Sequence, residues 1–173
     1  MSDKAADRGI EPIRASMSVD AAPADAFAGF TEGMAIWWPR EYSWSGALLE
    51  RIGMEAGPGG LLYEIGGNGM RYDWGRISAW EPPRRLGFTW HIGPGRVPDP
   101  NPAHASEVRV AFEPAQGDGT TVSVVHGGWE RHGEPGRAYR QQMADADAWE
   151  TILGAYAAAV RRRSDAPWTG LTT

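Results

Sequence analysis

The sequence predicts an α+β fold: a curved antiparallel sheet of six to seven strands around one long C-terminal helix, with two short helices after the first strand. Two observations carry this prediction. From residue 47 to residue 126, short apolar stretches follow one another with only turn chemistry between them, so neighbouring strands must pair mostly antiparallel. After residue 136 the apolar spacing switches from two to three or four, which marks one face of a helix.

Residues 1–9 carry Asp3, Lys4, Asp7 and Arg8 with little to bury, so they read as a mobile lead-in. Ile13, Ala15, Met17 and Val19 alternate as in a half-buried strand. Pro23 suits a first helical turn, and Phe27 and Phe30 lie one turn apart in a short helix over 24–30. Thr31 is expected to cap a second short helix through Met34, Ile36, Trp37 and Trp38, which Pro39 stops. Strands are expected over 47–54, 61–65, 71–80, 85–91, 106–112 and 120–126. Asn68-Gly69 and Gly117-Asp118-Gly119 supply two of the hairpin turns.

Residues 93–105 hold Pro94, Pro98, Pro100 and Pro102, the composition of a stiff surface loop rather than a central strand. From 136 to 163, Tyr139, Met143, Ala146, Trp149, Leu153, Tyr156 and Val160 share one helical face, predicting a single rod about 40 Å long. Gly154 inside it marks a close approach to the sheet or a tolerated defect. Residues 164–173 read as a loose tail, although Trp168 is an odd residue to leave in water. The domain is thus expected over residues 10–163.

Charge and composition exclude several functions. The 173 residues carry 17 Lys+Arg against 22 Asp+Glu, a net charge of -5, which argues against general affinity for nucleic acid or anionic membranes. With no cysteine, disulfides, thiolate metal sites and a cysteine nucleophile are ruled out. His91, His104, His126 and His132 lack helical metal-ligand spacing, so no metal is expected. The glycine-rich turns lack the Lys-Ser/Thr of a phosphate loop, and no cofactor is expected. With no apolar run long enough for a membrane span, and with charged residues among the first ten where a leader peptide would lie, the expected location is cytoplasmic.

Several motifs in order resemble a known family. They are Trp37-Trp38, Pro58-Gly59-Gly60, Trp74-Gly75-Arg76-Ile77 and Trp80-Glu81-Pro82-Pro83-Arg84-Arg85-Leu86 running into Phe88-Thr89-Trp90. Thr120-Thr121-Val122, Val125-His126-Gly127-Gly128 and Trp149 with Leu153 follow. Across residues 12–162 the chain resembles the helix-grip (START-like, SRPBCC) superfamily, and within it the homologues of the activator of heat-shock-protein-90 ATPase. The resemblance implies a sheet gripping the C-terminal helix, with an apolar cavity between them. Members bind lipids, hormones or polyketides, and a few catalyse cyclisation or dehydration. The co-chaperone members carry a further N-terminal domain for which this chain has no room, so a chaperone partner is not expected.

The composition holds 9 Trp against 4 Phe, a preference for large flat side chains with a polar edge. These rings are either core or the lining of a pocket. A dry pocket of about 300 Å³ would cost near 7 kcal/mol, comparable with a domain's whole stability, so any cavity must be wet, collapsed or occupied. Strand parity puts Leu86, Phe88 and Trp90 on one face, with Val108, Val110 and Phe112, and Val122, Val124 and His126, on the matching faces of their strands. The face of 71–80 stays open, since Tyr72, Trp74 and Trp80 oppose Ile77 and Ala79.

The expected function is binding of a small hydrophobic or aromatic molecule. The expected walls are Trp38, Trp74, Phe88, Trp90, Phe112, Trp149 and Leu153, with the short helices and the proline-rich loop framing the mouth. His126 is either a hydrogen-bonded histidine at the core edge or the polar anchor of the ligand. As an acid–base group it would instead make the pocket that of a cyclase or dehydratase. Glu64, Arg76 and Arg109 are expected on a solvated face, or as partners of a polar head if the parity reverses. A third function, a protein-interaction module, would need Trp129 and Trp168 exposed, and a homodimer is left open.

Overall fold

The computed structural model describes residues 9–163 and Trp168. The expectations for 1–8, 164–167 and 169–173 lie outside the described residues. Seven strands form one antiparallel sheet in the order β1-β7-β6-β5-β4-β3-β2. They are β1 (Ile13–Val19), β2 (Leu49–Met54), β3 (Leu61–Gly66), β4 (Arg71–Glu81), β5 (Arg85–Trp90), β6 (Ser106–Pro114) and β7 (Thr120–Gly127). Between β1 and β2 the chain passes from one sheet edge to the other through α1 (Pro23–Thr31) and α2 (Met34–Trp37). Apart from β1, which pairs with β7, all neighbours in the sheet are consecutive strands, as short turns require. The concave-face residues of β5, β6 and β7 predicted from parity are all buried.

Strand β4 shows why parity could not orient it. Leu62 pairs with Gly75 and Tyr63 with Asp73, which leaves Trp74 as an extra residue. Ile77 pairs with Phe88 and Ala79 with Gly87, which leaves Ser78 extra. Each bulge shifts the alternation by one. Trp74 and Ile77 are therefore both buried, and Trp80 packs edge-on against Phe27 at 5.1 Å.

The single long helix is the main correction. The chain forms α3 (Gly136–Asp145) and α4 (Ala148–Arg162), broken at Asp147, which adopts φ +47° and ψ +43°. Aspartate tolerates this left-handed conformation better than most residues and is a weak helix former, so the break falls where helix propensity is low. The periodicity ran through because both helices turn apolar residues toward the same core. With 15 residues, α4 spans about 22 Å, roughly half the expected rod. It packs along β1 and touches α1 and α2.

Smaller corrections have local causes. Thr31 ends α1, where its hydroxyl donates to the Phe27 carbonyl at 2.9 Å, and Gly33 precedes α2. A 3-10 turn over Gly46–Leu48 takes the start of the predicted second strand. Around Gly154 no atom lies where a side chain would extend, so that glycine is a tolerated defect. Trp129 is fully buried and cannot form an exposed patch.

Trp168 is half-buried against the outside of α1. A Cβ added at Gly29 would lie 2.7 Å from its ring, and one at Gly33 would collide with it too. Two glycines four residues apart thus form a notch of one indole's width. The Arg163 guanidinium lies 5.3 Å from the centre of the same ring.

Candidate functional site

Six of the predicted site residues meet under the concave face of β4–β7. The Trp74 ring lies 5.4 Å from Trp38, 5.4 Å from Trp90 and 6.2 Å from Phe88. Trp149, from α4, reaches Trp38 at 6.4 Å and Trp90 at 5.9 Å, and His126 lies 5.2 Å from Trp90. Phe112 joins a second aromatic group with Phe27 and Phe30, at 5.2 and 5.7 Å. Leu153 is fully buried in the shared core. The indoles thus fill much of the space the half-barrel encloses, which answers the cost of a dry void.

Hydrogen bonds decide what each ring can still do. Trp38 Nε1 donates to the Tyr42 carbonyl at 3.3 Å, and Trp90 Nε1 donates to the Tyr139 hydroxyl at 3.0 Å. Tyr139 in turn donates to the Ile92 carbonyl at 2.9 Å, and burial pushes its pKa up to about 12. Trp149 Nε1 donates to His126 Nδ1 at 3.1 Å. Trp74 Nε1 is buried and has no partner among the described residues. An unmet buried donor forfeits about 1–3 kcal/mol, so an acceptor supplied there would be bound strongly.

His126 sits in a one-way chain. Because Trp149 donates to Nδ1, the neutral ring must carry its proton on Nε2, which donates to Ser106 Oγ at 2.8 Å. The Ser106 hydroxyl then donates to His132 Nε2, also at 2.8 Å. Burial holds the His126 pKa well below the ordinary imidazole value, and the charge His132 would carry adds to this. His132 is half-buried and lowered too, mainly by burial, with Asp99 opposing. Both His126 nitrogens are engaged, and an indole, which transfers no proton, closes the inner end. The sequence does not link Ser106 and His132 to His126, since that chain crosses strand and loop.

A cleft of about 170 Å³ opens onto this aromatic group. Trp90 alone of the predicted residues lines it, beside Tyr42, Ile92, Tyr139, Met143 and Arg96. Ile92 and Arg96 flank the predicted start of the proline-rich loop, while Tyr139 and Met143 come from α3.

Elsewhere, the solvated-face expectation holds for Arg76 and Arg109 and fails for Glu64, which is fully buried. Its carboxylate accepts from the amides of Trp44 and Ser45, at 3.0 and 2.6 Å, and from Ser45 Oγ at 2.7 Å. His91 is half-buried and bonded to Thr89 Oγ1 and the Asp99 carbonyl. No cluster of histidine and carboxylate among the described residues is arranged to hold a metal ion. No described helix is long and apolar enough to cross a membrane.

The model of the Activator of Hsp90 ATPase homolog 1-like protein family matches residues 20–158. The chain belongs to that family. Its seven-stranded sheet and C-terminal helix form the helix-grip fold that the motifs implied. An anthrahydroquino-γ-pyrone synthase, Txn09, is 32% identical, covering 86% of this chain and 96% of its own, with a TM-score of 0.61. CalC, a self-sacrificing resistance protein from Micromonospora echinospora, is 28% identical over 88% of this chain and 96% of its own, with a TM-score of 0.62. A Nitrosomonas europaea protein at 16% identity shares the fold, covering 91% of this chain and 98% of its own at a TM-score of 0.65. No curated protein matches the chain.

Proposed function

We propose that this protein binds a flat aromatic small molecule bearing a ring carbonyl, of the polyketide type. In this reading the molecule enters by the cleft at Trp90 and reaches the aromatic group of Trp38, Trp74, Phe88 and Trp149. The observation that carries it is the unpartnered N–H of Trp74, a buried donor among stacked rings. A ligand that stacks on the indoles and supplies a carbonyl oxygen would satisfy it. At about 170 Å³ the cleft is smaller than the usual small-molecule pocket, so binding needs Met143 or Trp90 to swing aside. Phe112 and Leu153 then act as the packed wall behind the site. Membership in the family and the 32% identity to a synthase of a fused aromatic pyrone support this ligand class.

Titration of tryptophan emission with a soluble anthraquinone and with its ring hydrocarbon lacking the carbonyls tests the reading. The ketone should bind at micromolar concentration, and Trp74→Phe should weaken it about fivefold to tenfold while leaving the hydrocarbon unaffected. Failure of any such compound to shift the emission, or identical behaviour of Trp74→Phe and wild type, would overturn it. Turnover is the second reading, favoured by the identity to a synthase. Against it, His126 has no free nitrogen with which to move a ligand proton. Chromatography of the ligand recovered after incubation separates the two, since a binding protein returns it unchanged.

A further inference from the structure

We infer that Arg96 reads an acidic group, a carboxylate or ionised phenol, on the aromatic ligand of this cleft. The inference rests on the binding function proposed above and narrows its ligand class. Arg96 lies at the cleft mouth with φ +63°, directly after Gly95 at φ +71°. Glycine takes such a conformation freely, whereas arginine does so at a cost, and strain of this kind concentrates at functional sites.

That backbone turn sends the side chain across the mouth, where it donates to the Ser43 carbonyl. Among the described residues no carboxylate pairs with it, although Glu41 lines the same cleft. A guanidinium has five donors in a planar fork, and one carbonyl leaves most of that fork available for a two-oxygen acceptor. Trp90, Ile92, Tyr139 and Met143 form apolar walls beside the exposed Arg96, and a ligand seated against them would shield the guanidinium from water, which strengthens a charge-assisted bond. Ligand entry would exchange the Ser43 carbonyl for the ligand's anion, so the residue that straps the mouth also selects what enters.

The test titrates tryptophan emission with anthraquinone-2-carboxylate and anthraquinone-2-carboxamide against wild type, Arg96→Lys and Arg96→Gln. Wild type should favour the carboxylate by about tenfold, and Arg96→Gln should bring the ratio near one. Arg96→Lys keeps the charge but loses the fork, so an intermediate ratio is expected. Thermal melts establish that each variant is folded; should Arg96→Gln melt too low, the lysine variant decides the outcome. Equal wild-type affinities, or a preference that survives removal of the guanidinium, would overturn the assignment to Arg96 alone. Binding of neither compound would overturn the proposed function together with it.

Discussion

Acidification through the ordinary imidazole range loads a proton onto His126 in the unfolded chain before it does so in the folded one. The ring is fully buried, and its folded pKa lies well below the unperturbed 6.5. The sign follows from linkage: the unfolded state binds the extra proton, so stability is highest above about 6.5 and falls as the pH drops toward the depressed folded value. While the folded ring stays neutral, each pH unit well below 6.5 removes about 1.4 kcal/mol. Set against a typical domain stability of about 5–15 kcal/mol, that loss is readily measured. His132 acts in the same direction but is only half-buried. Glu55 and Asp99, both lowered by hydrogen bonds, titrate below this window and do not confuse it. The assay is urea unfolding followed by tryptophan emission at several pH values, for wild type and His126→Gln. Glutamine can still accept from Trp149 and donate to Ser106, so the variant should fold with a loss of about 1–3 kcal/mol at pH 7.5 and a flatter pH profile. A wild-type stability that stays level from 7.5 to 5, or a variant with an undiminished slope, refutes the reasoning.

Gly29→Ala should destabilise the protein even though alanine favours a helix by about 1 kcal/mol, because the new Cβ meets the Trp168 ring. In a Trp168→Ala background the same change should become neutral or stabilising, and a double-mutant cycle by thermal melting reads this directly. Glu64→Gln should cost about 2 kcal/mol, since a neutral amide replaces a carboxylate that holds two amides and a hydroxyl. Faster hydrogen exchange at Trp44 and Ser45 should accompany it, and unchanged exchange would count against Glu64 as the anchor of that loop.

Alternation and turn chemistry are local properties, and they alone determined most of this fold. Parity within β5, β6 and β7 placed Phe88, Trp90, Phe112 and His126 on the buried face, and glycine and proline signals located the turns between strands. Tertiary structure decided whatever local periodicity cannot encode. Bulges at Trp74 and Ser78 reset the parity of β4, because an extra residue is defined only relative to the partner strand. Asp147 ended a helix without interrupting its apolar spacing, since α3 and α4 face the same core. Glu64 became buried through a loop some twenty residues earlier, and Arg96 met Ser43 across more than fifty. Such pairings bring together groups that are remote along the chain, so their chemistry exists only once the fold has closed.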